Sequence, residues 1–317
     1  MSNGNVDRGR TKLGRKISQV SSPLFSIVTV NYNNARLLLE VLTRTIEALK
    51  GFPYEIIVVD NNSTDGSYEF LSQTLKAYRW VSVLNSGRNG GFGFGCNFGA
   101  KNSKSPILWF LNSDAWICDT TKLADTLAFC LNAETGLVGT AVLLKSGRAT
   151  PQGGGDMSFA FFLVSSFRPG KVLRAISPKL SSLLLQSMRG KSGLLRRYAD
   201  SLDHSAIINL YTSPGVGGAS FFIDRIKYLS MGGFDERFFL YDEDGDLCLR
   251  CLKSGFVNHI EPNIKVTTYE SATTSKVPSL QLKRIKLKSR LRLIDKHFYG
   301  IRRCVLIIIT RFTWRLL

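Results

Sequence analysis

An α/β fold with a mostly parallel sheet covered by helices is what this chain predicts, on three observations. Short β-branched apolar runs alternate with amphipathic stretches from Phe25 to Leu111, the period of strand–helix units whose parallel strands are buried on both faces. Three apolar runs end in polar clusters: Ile56 to Val59 in Asp60, Ile107 to Leu111 in Asn112-Ser113-Asp114, and Phe238 to Tyr241 in Asp242-Glu243-Asp244. Side chains at the carboxyl ends of buried strands lie where open α/β sheets bind their ligands. A glycine-dense run, Asn89 to Gly99, follows the third strand. The pattern points to an enzyme with a crevice lined by carboxylates.

Taken in order, Phe25 to Val30 is the first predicted strand, closed by the capping residues Asn31 to Asn34. Ala35 to Leu49 places Leu38, Leu39, Val41, Leu42, Ile46 and Leu49 at helical spacing. Tyr54 to Val59 is a second strand, Tyr68 to Tyr78 a second helix, and Trp80 to Leu84 and Pro106 to Leu111 the third and fourth strands. Gly136 to Leu144 and Ser220 to Ile223 are further strand candidates. Between them, residues 157–211 read as a basic, Leu- and Ser-rich helical insertion. Leu247 to Leu252 reads as helix. Beyond Ser271 the chain carries Leu280, Leu282, Ile285, Leu287, Leu291 and Ile294 among Lys and Arg, a basic amphipathic helical extension over 271–317.

Composition bounds the partners. The 317 residues are 44% hydrophobic and 11% aromatic, enough for a large core. The net charge is +18 and unevenly placed. Residues 1–23 form a basic tail with no apolar leader, and residues 276–317 hold twelve Lys or Arg against Asp295 alone. A localised basic surface calls for an anionic partner. The six cysteines show neither CxxC pairs nor zinc spacing, as expected of a reduced, cytoplasmic setting. No apolar stretch reaches bilayer-spanning length. These features lead to the expectation of a cytoplasmic protein held peripherally on the inner face of the membrane.

Each motif has a chemical reading and a plainer one. Asp60 can accept the ring N–H of a pyrimidine base, or simply serve as a turn residue. The glycines of Asn89 to Gly99 let backbone N–H groups approach a diphosphate, but the run lacks a P-loop lysine and fits the dinucleotide spacing badly. Asp114 can hold Mg²⁺ or Mn²⁺, which favour oxygen ligands. In Asp242-Glu243-Asp244 mutual repulsion raises proton affinity, so one acid can act as general base; acids in a first helical turn also favour the helix dipole.

Val28 to Asn33, Val59 to Gly66, Asn89 to Gly99, Leu111 to Asp114, Gly217-Gly218-Ala219, Gly232 to Glu236 and Phe238 to Arg250 occur in one order. Together they resemble family 2 inverting glycosyltransferases, especially the bacterial rhamnosyltransferase-like branch, over Phe25 to Ser271. The resemblance implies a GT-A fold, Rossmann-like, over residues 24–270. It places the donor, a nucleoside-diphosphate sugar (dTDP- or UDP-linked), on Thr29, Asn31, Asp60, Asn89, Asn97, Asn112, Ser113 and Asp114. The metal, Mg²⁺ or Mn²⁺, falls on Asp114. Gly217, Gly218, Ala219 and Glu243 would border the acceptor, a glycan or polyprenyl-diphosphate-linked sugar, and Asp244 would be the catalytic base. Two departures stand out. Asn112 occupies the first position of the DxD-like motif, and threonines stand in Val266-Thr267-Thr268-Tyr269 where the family often has a metal-site histidine. A non-catalytic family member is the main rival. A nucleic-acid-binding protein is not expected, because the charge lies outside the acidic crevice. An oxidoreductase lacks its glycine fingerprint after the first strand.

Overall fold

The computed structural model describes residues 22–150, 152–154, 157–159, 162–163, 209–269 and 278–315. The basic tail and most of the expected insertion lie outside these residues. Five strands and three helices come first: β1 (Phe25–Asn31), α1 (Ala35–Ala48), β2 (Tyr54–Asp60), α2 (Ser67–Leu75), β3 (Val81–Asn85), α3 (Phe92–Asn102), β4 (Ile107–Leu111) and β5 (Ala115–Asp119). Then follow α4 (Leu123–Cys130), β6 (Thr135–Leu144), β7 (Ala149–Thr150), β8 (Gly153–Gly154), β9 (Tyr211–Thr212), β10 (Gly215–Val216), β11 (Ser220–Asp224) and α5 (Arg225–Ser230). The chain closes with α6 (Glu243–Lys253), β12 (Val257–Thr268), α7 (Ser279–His297) and α8 (Gly300–Arg315).

The main sheet runs β3-β2-β1-β4-β11-β6-β12-β5. Its first four strands are parallel, as the alternation predicted. Beyond β4, β11 and β5 run antiparallel to their neighbours while β12 stays parallel to β6. The chain leaves β1 for β2 on one side and later returns to β4 on the other. The carboxyl ends of β1 and β4 therefore flank a topological switch point, the place where such sheets open a crevice.

Both faces of the sheet are covered. On one, Leu38, Val41 and Leu42 of α1 and Leu71 and Leu75 of α2 pack against Ile27, Ile56, Val58 and Trp109. On the other, α3 and α6 cover Val28, Leu108, Phe110 and Phe221, joined by Tyr228 and Phe234. The glycine-dense run, expected as a phosphate-facing loop, is largely helix. A Cβ on Gly99 would stand 2.4 Å from Val28 Cγ1, and one on Gly95 would stand 2.7 Å from Val30 Cγ1. Gly95 and Gly99 let α3 lie close on β1, and that packing accounts for them.

The C-terminal helices are packed onto the domain. Leu293, Ile294 and Leu306 are buried with Phe162, Phe238 and Leu249. Among the described residues no helix is long and apolar enough to cross a membrane.

Candidate active site at the switch point

Strand pairing sets out the first wall of the crevice. β1 and β2 run in register from Phe25↔Tyr54 to Asn31↔Asp60, so Asn31 and Asp60 end their strands side by side. Asp60 is fully buried. Its Oδ2 accepts from Asn31 Nδ2 (2.8 Å) and from the Ser63 hydroxyl (2.7 Å), and its Oδ1 accepts from the Ser63 amide (2.8 Å). A carboxylate offers about four lone-pair sites, so one acceptor position remains, on Oδ1. Thr29 Oγ1 and Asn31 Oδ1 are buried without a hydrogen-bond partner. Thr29 Oγ1, Asn31 Oδ1 and one lone pair of Asp60 Oδ1 thus have no hydrogen-bond donor among the described residues.

Neighbouring loops are tied to this wall. Asn61 donates to the Gly91 carbonyl and accepts from Ser86. Gly91, at φ +93°, sits where a Cβ would be 2.0 Å from the Phe239 carbonyl oxygen, and the next amide, Phe92, donates to that oxygen. Only glycine admits this approach, which joins the start of α3 to the segment leading into the acidic run. Asn89 stays local, its Oδ1 accepting from the Gly91 amide.

The second wall is built from β4, the 217–219 turn and α6. The Asn112 amide donates to the Ala219 carbonyl (3.0 Å). One residue back, the Gly218 amide donates to Asp244 Oδ2 (2.9 Å). A Cβ on Gly218 would stand 3.3 Å from that same oxygen. The Gly217 amide is held by the Gln152 carbonyl. The parallel β1–β4 pairing runs to Val28↔Phe110, so the carboxyl ends of β1 and β4 point to the same end of the sheet. Asp60 ends β2, the Asn112-Ser113-Asp114 cluster follows β4, and the hydrogen bonds at Ala219 and Gly218 bring Asp244 to the β4 end. Ser113 and Asp114 are buried there.

Two carboxyls at the start of α6 differ sharply. Asp244 is half-buried and hydrogen-bonded through both oxygens, to the Gly218 and Gly245 amides. Glu243 is buried, and its Oε2 has no partner. Burial first, then the charges of Asp244 and Asp242, push its pKa well above the usual carboxylate range. The acid in this run that burial drives toward its protonated form is thus Glu243.

Asn97 was expected at the diphosphate. Its amide is instead engaged inside the protein, donating to the Phe234 carbonyl and Glu236 and accepting from the Tyr228 hydroxyl and the Phe234 amide. It fastens the 228–236 segment to α3.

The metal expectation has a limited donor set. Asp114 supplies one carboxylate, beside the Asn112 and Ser113 side chains. The Tyr269 amide donates to the Asp114 carbonyl, and Thr268 pairs with Ala115 across β12 and β5, so Thr268 stands next to the cluster. Among the described residues no three His, Cys, Asp or Glu side chains gather as a metal cage. Mg²⁺-type ions are commonly held by one or two carboxylates plus substrate phosphates. The oxygen donors here fit that arrangement and not a closed protein cage.

A network that the sequence did not announce braces the acidic run. Asp246, fully buried, receives Arg250 Nε on Oδ2 (2.8 Å) and Lys296 Nζ and His297 Nε2 on Oδ1 (2.7 Å each). Lys253 Nζ can only donate, so His297 Nδ1 accepts from it and Nε2 carries the proton toward Asp246. Burial alone would raise the Asp246 pKa; His297, Lys296 and Arg250 outweigh it and lower the pKa. Arg250 also donates to the Met231 and Gly233 carbonyls. Arg290 pairs with Asp242, and Ser289 donates to the Leu240 carbonyl. Tyr241 and Asp242 both hold positive φ, 70° and 62°, a conformation that these contacts from α7 maintain.

Residues 26–171, a little under half of the chain, match the model described as Glycosyl transferase family 2. An N-acetylglucosaminyl-diphospho-decaprenol L-rhamnosyltransferase of Mycobacterium tuberculosis is 30% identical over 82 residues, 26% of this chain and 27% of that protein. A poly(ribitol-phosphate) beta-glucosyltransferase of Bacillus spizizenii is 37% identical over 94 residues, 29% of this chain and 15% of its own length. The aligned stretches thus span only about a quarter or less of these relatives. Among solved structures, GalNAc-T7 with UDP, GalNAc and Mn²⁺ superposes with a TM-score of 0.57 at 16% identity, covering 87% of this chain and 48% of its own. The mannosyltransferase PcManGT of Pyrobaculum calidifontis, in complex with GDP-Man and Mn²⁺, gives 0.56 at 14% identity, covering 98% and 77%. At these identities the likeness establishes the GT-A type of α/β fold.

Proposed function

We propose that this chain is an inverting glycosyltransferase that moves a sugar from a nucleoside-diphosphate donor to a hydroxyl of a lipid-linked glycan. One observation carries the reading: hydrogen bonds run from Asn112 through Ala219 and Gly218 to Asp244, setting a carboxylate base beside the strand ends where a donor diphosphate would lie. Thr29, Asn31 and Asp60 offer the base of the nucleotide their remaining acceptors. Asn112, Ser113 and Asp114 face the diphosphate. Where Mg²⁺ or Mn²⁺ is bound, Asp114 would hold it jointly with the donor's phosphates, and it would supply Lewis-acid stabilisation of the departing diphosphate.

Asp244 is held with both oxygens on amides and is partly open, so it can take a proton from an acceptor hydroxyl as that oxygen attacks the anomeric carbon. Attack opposite the leaving diphosphate inverts the configuration. Gly218 has no side chain to obstruct the acceptor next to Asp244. Rhamnose from dTDP-rhamnose is the favoured donor, supported by the rhamnosyltransferase relative, whose own acceptor is a diphospho-decaprenol sugar. The basic α7–α8 segment would bring the protein to the anionic cytoplasmic face of the membrane, where such an acceptor is embedded.

The test is a thermal-shift panel of UDP-, dTDP- and GDP-sugars with and without Mn²⁺. A donor at one hundred times its Kd should stabilise the fold by about 2.7 kcal/mol. Silence from every nucleotide sugar would leave the non-catalytic reading, to which the threonine at position 268 already gives some ground.

A further inference from the structure

Outside the crevice, α7, α8 and Arg237 line an open recess of about 500 Å³. Its cations are Arg237, Lys288, Arg292, Lys296, Arg303 and Arg311, and Asp295 is the one carboxylate in its lining. Three of the six are matched: Arg237 and Lys296 by Asp235, Lys296 also by Asp246, and Arg303 by Asp295. Among the described residues Lys288, Arg292 and Arg311 have no ion-pair partner; Arg292 faces the Phe238 ring, 5.9 Å from its centroid. Like charges crowded in a recess repel, and the arrangement falls in energy when an anion enters. Guanidinium forks match phosphate oxygens two at a time. Three unmatched cations call for more negative charge than one carboxylate brings.

A second observation lies on the same helix. Ile301, Ile308 and Phe312 are 83%, 67% and 63% exposed. At about 100° per residue their spacings of seven and four place Ile308 and Phe312 roughly 20° to either side of Ile301 on α8, within about 40° of one another. The result is an uncovered apolar stripe, with Arg311 of the cavity next in sequence to Phe312. Apolar residues in line beside a phosphate-accepting recess match a lipid, whose headgroup phosphate and acyl boundary lie side by side.

We propose that this cavity is a phosphate site, separate from the crevice, that receives the headgroup phosphate of an anionic lipid while the Ile301–Phe312 stripe contacts the bilayer interface. The proposal rests on the membrane-surface part of the function proposed above and not on its transferase chemistry.

Its test uses the full chain and vesicles of phosphatidylcholine with and without phosphatidylglycerol. Two triple variants remove equal charge: Lys288→Gln/Arg292→Gln/Arg311→Gln inside the cavity, and Lys283→Gln/Arg284→Gln/Arg302→Gln on the same helices outside its lining. The expected result is vesicle binding weakened at least about tenfold by the first set and no more than about threefold by the second, with inorganic pyrophosphate competing for the unmodified chain. Equal losses would reduce the effect to diffuse charge and overturn the site. So would unchanged binding by the cavity variant of both vesicles and pyrophosphate. If that variant loses pyrophosphate binding alone, the lipid is overturned as the occupant. Nucleotide-sugar thermal shifts on the cavity variant keep the two proposals apart: a chain that binds vesicles through this site but no nucleotide sugar would defeat only the transferase reading.

Discussion

Asp60 and Asp246 are both fully buried and both hold three hydrogen-bonded groups, yet they are stabilised by opposite means. Asp60 is satisfied by short neutral donors close at hand, the Asn31 amide and the amide and hydroxyl of Ser63. Asp246 is surrounded by Arg250, Lys296 and His297, two of them about fifty residues away on α7. The parallel half of the sheet therefore completes its end of the crevice from its own strands and turns. The acidic half depends on the C-terminal helices to hold its shape. Neutral hydrogen bonds to a buried charge are worth about 1.5–3 kcal/mol each. Removing one partner of a buried ion pair costs about 3–5 kcal/mol.

The largest effect should come from the group at which the two halves meet. Asp244→Asn keeps an oxygen for the Gly218 amide, so the fold should survive, while loss of the base lowers turnover by about 10²–10⁴-fold. A folded variant with near-full activity would remove Asp244 from that role. Next in size is Asp246→Asn, which leaves Lys296 and Arg250 facing a neutral amide. Urea unfolding should show a loss of about 3–5 kcal/mol. A chain ending near Ser275, lacking α7 and α8, should fail to fold cooperatively for the same reason. If such a chain melts like the full one, the C-terminal helices are not a brace.

Ser63→Ala tests the other side of the comparison. It removes one of three donors to Asp60 and leaves the Asn31 amide and the Ser63 backbone amide in place, so the loss should be about 1.5–3 kcal/mol. The change is local: thermal shifts by nucleotide sugars should weaken more than the overall stability. A loss as large as that of Asp246→Asn would mean that the two carboxylates are held alike after all.

The same contrast explains what could be read from sequence. β1 to β4 were legible because each is a short stretch dominated by β-branched and other apolar residues between polar or turn residues, and parallel strands follow one another at short range. Asp60 and Asp114 stood out as candidates because they follow apolar runs that form β2 and β4, whereas the apolar run before Asp244, Phe238 to Tyr241, forms no strand. The glycine-dense segment reads as a loop in sequence, but most of it is α3, whose Gly95 and Gly99 face Val30 and Val28 of β1; their helical spacing is not evident from the sequence. β5 and α4 passed unnoticed because Ala115 to Cys130 shows neither a long apolar run nor clear caps. The Asp246–Lys296–His297 contact left no trace at all, since a lysine beside a histidine in a basic helix looks like solvated charge until the chain folds back.

Glu243 makes the smallest and most specific test, because it is the acid of this run that burial drives toward its protonated form. Its folded pKa lies well above its ordinary value of 4.5, through burial and then the charges of Asp244 and Asp242. The folded state therefore binds this proton more strongly than the unfolded chain. By linkage its contribution favours folding below the ordinary glutamate range and is lost as pH rises from there toward the raised folded pKa. Glu243→Gln mimics the protonated form and cannot ionise. The variant should match the unmodified chain near pH 4.5 and exceed it in stability at higher pH, giving a flatter curve of urea midpoint against pH. Turnover should be largely kept, because a neutral side chain next to Asp244 spares that carboxylate a like-charged neighbour. A steeper curve, or an activity loss as deep as that of Asp244→Asn, would mean that Glu243 is ionised in the native protein and shares the proton with the base.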